Sequence, residues 1–257
     1  MPSFKSIADF LERGDKHFLP CLSIDCVIFG FHANVLKVLL LKPKVLDGWA
    51  LPGGFIYEQE HIDNSAQRIL KERTGLHDIF LKQFFVFGEP ERNNNSITIK
   101  SLKKRGIDIE KTNWLAQRFV SIGYYALVDF EEVMPSADSI SDACEWWDIH
   151  KLPPLEMDHK NILEKALYTL RTHLLYHPVG YNLLPKKFTM PELQKLYETI
   201  LDEKLDRRNF QRKIFSYGIL NRLNEQRKGV AHKAPYLYSF NLRKYHKALK
   251  NGLQNGW

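Results

Sequence analysis

Cysteine is scarce. The 257 residues hold three, Cys21, Cys26 and Cys144. Their spacing matches no metal or redox motif, and any disulfide scheme leaves one unpaired. They read as reduced, buried thiols of a cytosolic protein, not as the staples of a small secreted scaffold. Long apolar runs are missing too. A membrane helix needs about 18 or more consecutive apolar residues. The run at residues 35–41 is strand-sized and interrupted by Lys37, so no membrane contact is expected. The opening MPSFKSIADFLERGDK lacks an apolar core followed by a small-residue cleavage site, and no secretory signal is read there. Internal repeats and low-complexity tracts are absent as well. The last shortage is local. From residue 186 onward there are 6 acidic residues against 16 lysines and arginines, a net of +10, which leaves 21 basic and 24 acidic residues, −3, for the rest. A near-neutral part is joined to a strongly basic one, and such asymmetry points to a polyanion partner for one end.

The chain is long enough for two modest domains. Residues 21–31 (CLSIDCVIFGF) and 35–41 (VLKVLLL) read as a hairpin around a short turn containing Asn34. Residues 42–49 read as a loop, and LPGGF as another turn. Residues 63–73 are helical in pattern, with Asp63 as N-cap and Ala66, Ile69 and Leu70 on one face. Thr74-Gly75 ends that helix. Residues 84–88 and 120–128 read as strands. Between them, residues 93–117 form a polar, lysine-rich stretch that is long for a loop. It reads as a lid, an extra helix at a subunit contact, or a solvated insertion. DIHKLPP (148–154) closes the first domain, giving domains 1–155 and 156–257.

After the proline pair, residues 159–175 read as a helix with Ile162, Ala166, Leu170 and Leu174 on one face. Thr189 caps MPELQKLYETIL, with Pro191 near its first turn. Asp206 starts DRRNFQRKIFSYG. Residues 219–223 and 236–240 are strand-like and joined by the basic loop NEQRKGVAHKAP. Helix, helix, turn, helix and basic hairpin is the layout of a winged helix-turn-helix.

One motif carries chemistry. GGFIYEQEHIDNSAQRILKERTGL (53–76) resembles the Nudix box: Gly, five residues, Glu, seven residues, then Arg-Glu-apolar-any-Glu-Glu-any-Gly-apolar. Gly54, Glu60, Arg68, Leu70, Glu72, Gly75 and Leu76 fit it. Nudix hydrolases hold a divalent metal against a diphosphate with carboxylates spaced i, i+3, i+4 on one helix face, because hard cations need several oxygen ligands. Those positions here are Ile69, Glu72 and Arg73. Ile69 supplies no ligand, and Arg73 puts a positive charge where the cation belongs, a repulsion on the order of several kcal/mol in a poorly solvated site. Glu60 and Arg68 are expected to pair structurally. Glu60, Arg68 and Glu72 are thus a remnant, with no catalytic residue and no metal site expected. No cofactor is called for.

The basic end offers a second surface. Arg207, Arg208, Asn209, Gln211, Arg212 and Lys213 lie on the third helix, with Phe210, Ile214 and Phe215 free to point inward. Arg pairs with guanine edges, and Asn or Gln with adenine. Arg227, Lys228 and Lys233 suit a wing over phosphates, and Lys186 and Lys187 backbone contacts. The bland alternative is a solvated cationic helix and hairpin.

Nudix-like residues followed by FTMPELQKLYETILDEKLDRRNFQRKIF (188–215) resemble the Nudix-related transcriptional regulators of bacteria, over residues 21–240. The resemblance implies an α/β (α+β) fold: a Nudix α/β/α sandwich with a mixed sheet, then a winged helix-turn-helix. It implies a cytoplasmic homodimer that binds double-stranded operator DNA, with the broken Nudix domain sensing a small metabolite, either ADP-ribose or a sugar such as arabinose. IDCVIFGF, GGFI and YNLLPKKFT resemble the sugar-responsive branch more closely, which points to control of sugar catabolism. Relatives carry a short Asp-Arg loop where this chain has residues 93–117. Candidate effector contacts are Asp25, Lys42, Trp49, Phe55, Glu91 and Arg118, with Trp49 and Phe55 equally readable as core. Two rival readings remain: an active hydrolase of nucleoside diphosphate derivatives, and a binding module assembling through the insertion.

Overall fold

A two-residue turn sets the first sheet. Strand β1 (Phe18–His32) and strand β2 (Val35–Pro43) are joined by Ala33 and Asn34, both at positive φ (49° and 62°). A turn of this kind matches the right-handed twist of the strands it joins. The computed structural model describes residues 7–74, 80–92, 95–107, 110, 113–131, 133, 137, 140–176, 181–227 and 234–251. The chain divides into two units. One comprises residues 1–29, 37–126 and 131–166, the other residues 30–36, 127–130 and 167–257.

The first sheet runs β4 (Phe80–Phe87), β5 (Val120–Val128), β1, β2, β6 (Ser141–Asp148), with β3 (Gly53–Tyr57) paired to β1 off that path. Helices α1 (Ile7–Arg13), α2 (Ile62–Thr74) and α3 (Asn95–Lys104) belong to the same unit. Its core is apolar and close-packed: Ile24, Ile28, Phe29, Leu39, Leu40, Ile56, Ile69, Leu70, Tyr124 and Tyr125 have under 2% of their surface exposed. Burial of each large side chain contributes roughly 1.5–3 kcal/mol.

Several sequence expectations are corrected. The glycines of LPGGF do not make a turn. They open β3, where Gly53 faces Asp25 and Gly54 faces Ile24 in antiparallel register. A Cβ on Gly53 would lie 2.7 Å from Asp25 Oδ1, so close approach of two strands is what demands glycine there. Helix α2 begins at Ile62, one residue before the expected cap. Asp63 is therefore inside the helix; its N–H donates to His61 Nδ1 (3.3 Å) and its carboxylate accepts from the Tyr124 hydroxyl (2.6 Å). Gly75, expected with Thr74 to end the helix, lies outside the described residues, as does Leu76 of the box. Cys21 is exposed, contrary to the buried-thiol reading, and sits at φ 58° where the β1–β3 register jumps. Cys26 and Cys144 are buried free thiols, and burial pushes the Cys144 thiol up to about 11. Residues 93–117 are more than solvated loop. They contain α3 and a 3-10 turn at Trp114–Ala116, with Leu102 and Ala116 buried.

The second unit carries α5 (Met190–Leu201), α6 (Arg207–Ser216) and a three-stranded sheet ordered β7 (Phe188–Thr189), β9 (Tyr236–Phe240), β8 (Leu220–Gln226). Its last element among the described residues is α7 (Leu242–Asn251), which was not expected. Helix α4 (His159–Tyr176) begins in the first unit and ends in the second. Thr189 caps α5, as the sequence indicated, and the structure adds Glu192 as its partner in a full capping box. Asp206 caps α6 by accepting from the Asn209 N–H at 2.9 Å.

Candidate functional site

The Nudix-like loop and helix are locked by arginines. Arg68 donates to both Glu60 oxygens (2.9 and 2.8 Å), to the Phe55 carbonyl (2.9 Å) and more weakly to Glu72 (3.4 Å). Its guanidinium also stands 4.4 Å from the Tyr57 ring centre. Ser65 Oγ donates to Glu60. Desolvation pushes the Glu60 carboxyl up, but the hydrogen bonds from Arg68 and Ser65 outweigh it and hold the group below its ordinary value. The expected structural role of this pair is what the geometry gives.

Next to Arg68 in the chain, Ile69 is 1% exposed and fills the space beneath Gly54, where a Cβ would come within 3.0 Å of its Cδ1 and Cγ1. Arg73 Nη2 donates to the Gly53 carbonyl at 3.1 Å, and burial pushes that guanidinium below its ordinary value. The cation position of the helix is thus taken by a protein cation, with a packed isoleucine beside it. Of the three ligand positions, Glu72 alone offers oxygen. Among the described residues no group of three or more His, Cys, Asp or Glu side chains is placed to hold a metal ion. A divalent ion does not fit these residues.

The candidate effector contacts do not form one cluster. Asp25 is buried, accepts from Ser121 Oγ, and faces Arg92 (3.7 Å) and His159 Nε2 (3.6 Å). Lys42 Nζ donates to the Asp47 carbonyl. Trp49 stacks edge-on against Trp147, with ring centres 5.2 Å apart. Phe55 lies in an aromatic cluster with Phe10, Phe18, Trp114 and Phe119. Glu91 and Arg118 are exposed. Two members of that aromatic cluster, Phe10 and Trp114, come from α1 and from the insertion. Neither was singled out from the sequence, because aromatic residues in polar stretches give no periodic signal.

Sequence reading also missed a buried ionic lock around Asp25. Arg92 forks onto Asp158 (2.9 and 3.0 Å) and donates to the carbonyls of Phe87 and Phe119 (3.2 and 3.1 Å). His159 Nδ1 accepts from the Leu51 N–H at 2.9 Å. Its members lie at residues 25, 92, 121, 158 and 159, and no local pattern joins them.

In the second unit, Phe210 and Ile214 are buried while Arg207, Arg208, Asn209 and Arg212 are exposed. Phe215 does not point inward: it is 48% exposed, with its ring 5.8 Å from Tyr238. Gln211 and Lys213 are half-buried, and burial pushes the Lys213 ammonium down. Arg212 Nη2 donates to Asn209 Oδ1 (3.0 Å), which orients two of the exposed polar groups together. Two expected phosphate contacts are engaged internally. Lys187 bridges both oxygens of Glu225 at 2.8 Å, and Arg227 bridges the capping-box Glu192. Lys186 is exposed. Lys228 and Lys233 lie outside the described residues.

Residues 20–166 match the NUDIX domain model, and residues 180–240 match the NrtR DNA-binding winged helix domain. The chain belongs to the NUDIX family. A curated relative, the ADPR responsive transcriptional repressor NtrR of Acinetobacter baylyi, is 28% identical over 253 residues, 95% of this chain and 92% of its own. The crystal structure of Shewanella oneidensis NrtR has a TM-score of 0.69 at 27% identity, covering 88% of this chain and 96% of that one. The same protein complexed with a 27mer DNA gives the same values. A MutT/nudix family protein of Enterococcus faecalis, at 24% identity and TM-score 0.64, covers 92% and 94% of the two chains and shares the fold. Against this NUDIX background, Ile69 and Arg73 are departures within an otherwise well-kept box, and the mixed sheet and winged helix expected from the sequence are both present.

Proposed function

We propose that this NUDIX protein is a transcriptional repressor whose α6 reads operator DNA and whose degenerate NUDIX domain senses an ADP-ribose-like metabolite. The observation that carries the reading is α6. Asp206 caps it, Phe210 and Ile214 hold it to the unit, and Arg207, Arg208 and Arg212 project from its outer face. A helix anchored on one side and cationic on the other suits the major groove. The likeness over most of both chains to a protein crystallised with a 27mer DNA supports it. ADP-ribose is preferred to a sugar because the Acinetobacter relative is ADPR responsive; no relative described above carries a sugar response in its name. Asp25, Lys42, Trp49, Phe55, Glu91 and Arg118 stay candidate contacts. Of these, Asp25 has the weaker case, because it is already held in the ionic lock.

The protein is a homodimer in this reading, since a two-fold operator needs two recognition helices. Ligand acts through its differential affinity for two arrangements of that dimer. Hydrolysis is not part of the reading, because Ile69 and Arg73 replace two metal-binding carboxylates.

The test is fluorescence anisotropy at fixed salt, comparing a duplex from upstream of the protein's own gene with a scrambled duplex. A preference of about a thousandfold or more is expected, reduced by ADP-ribose and lost in Arg208→Ala/Arg212→Ala. Equal binding to both duplexes, or Mg²⁺-dependent turnover of ADP-ribose, would overturn it.

A further inference from the structure

Helix α7 lies beyond the matched winged helix, which ends at residue 240. Its ten residues include Arg243, Lys244, Lys247 and Lys250 and no acid. It is held in place by specific contacts. Asn241 caps it, accepting from the Lys244 N–H at 3.2 Å, and the Asn241 N–H donates to the Ile219 carbonyl at 2.8 Å. Ile219 follows α6 by three residues, so α7 starts beside the C-terminal end of the proposed recognition helix. Tyr245 is 5% exposed, with its ring 5.2 Å from Phe240 and 5.6 Å from Tyr181.

Helical geometry does the rest. Arg243 and Lys247 are one turn apart, Lys244 flanks them, and Tyr245 lies on the opposite side. All three cations are exposed. Among the described residues none of them makes an ion pair, whereas Lys187 and Arg227 are each bound to a carboxylate. An unneutralised cationic strip on a docked helix has less conformational freedom to lose on binding than one on a loose tail.

We propose that α7 is a second DNA-contacting element, with Arg243, Lys244 and Lys247 binding backbone phosphates of the duplex next to the segment reached by α6. The inference rests on the regulator reading, and it adds a contact that positions the protein without reading sequence. Each phosphate neutralised releases counterions and contributes about −0.9 to the slope of log K against log salt.

The experiment uses the full chain and an Arg243→Ala/Lys244→Ala/Lys247→Ala variant. Binding is measured to the upstream duplex and to its scramble across a KCl series. The slope is expected to become shallower by about 2 to 3 on both duplexes, with the preference between them kept within about twofold. Arg243→Lys should retain the wild-type slope, because a phosphate needs only a point charge. Circular dichroism melts of the variant should match wild type, since all three side chains are exposed. An unchanged slope with intact preference would overturn the role of α7 alone. Absent preference in wild type, with the slope still falling in the variant, would instead sink the regulator reading and keep α7 as a phosphate binder. Salt-independent loss of affinity would mark a structural defect and also count against the proposal.

Discussion

Arg73, on the last turn of α2, donates from Nη2 to the carbonyl oxygen of Gly53, the first residue of β3, at 3.1 Å. This contact sets a guanidinium at a position where the box otherwise carries a carboxylate, and a metal titration tests its consequence. Millimolar MgCl2 or MnCl2 should leave the melting temperature within about 1 °C of its metal-free value. A metal present at a hundred times its Kd would add about 2.7 kcal/mol, roughly 5–10 °C for a chain of this size. A rise of that order in differential scanning fluorimetry would show that a metal site survives.

The Glu60–Arg68 pair predicts a pH signature. The Glu60 carboxyl is held below its ordinary value when folded. Its contribution is therefore complete above the unfolded pKa and is lost as pH falls through the folded one. Stability against urea should drop in the acid range below about pH 4.5, and the drop should be shallower in Glu60→Gln. With side-chain exposures of 10% and 16%, the pair is largely desolvated, so Arg68→Ala should cost about 3–5 kcal/mol by stranding Glu60. A cost under about 1 kcal/mol would mean the loop is held by something else.

The lock at Arg92 makes a sharper claim on stability. The Arg92 side chain is 5% exposed, and the Asp25 and Asp158 side chains 11% each. Removing the guanidinium leaves two carboxylates facing a low-dielectric interior, so Arg92→Leu should cost at least about 3 kcal/mol. Adding Asp158→Asn should recover part of that loss, because it removes one stranded charge. A double variant less stable than the sum of the two singles would contradict the lock.

These residues also show what the sequence could reveal. The Thr189 cap, the helix start at Asp206 and the Arg68–Glu60 pair were legible because each is written within eight residues of chain. So was the loss of metal ligands at Ile69 and Arg73, since helical spacing fixes which positions share a face. The Arg92 lock was not legible, because its members come from β1, β5, the start of α4 and the residues after β4, and only the folded sheet brings them together. Strand β6 was missed because SDACEWWD carries acids at positions that a strand on an exposed edge tolerates. Gly53 and Gly54 were misread as a turn, since glycine serves tight turns and close strand approach equally well.

The last prediction turns on Glu192, which serves two partners. It completes the α5 capping box with Thr189, and it binds Arg227, the residue after β8. Desolvation pushes the Glu192 carboxyl up, yet the hydrogen bonds from Arg227 and Thr189 hold it below its ordinary value. Glu192→Ala should therefore lower stability by about 1 kcal/mol, the usual cost of a lost cap. The ion pair itself adds little, because both side chains are more than a third exposed. DNA binding should move the other way. The variant removes a negative charge and frees Arg227, so affinity for scrambled duplex should rise several-fold at low salt, with a steeper salt slope by about 1. Thr189→Ala should show the same stability loss with no gain in DNA affinity. If both variants left DNA binding unchanged, Arg227 would be a strut of the hairpin only, and the wing's phosphate contacts would have to come from other residues.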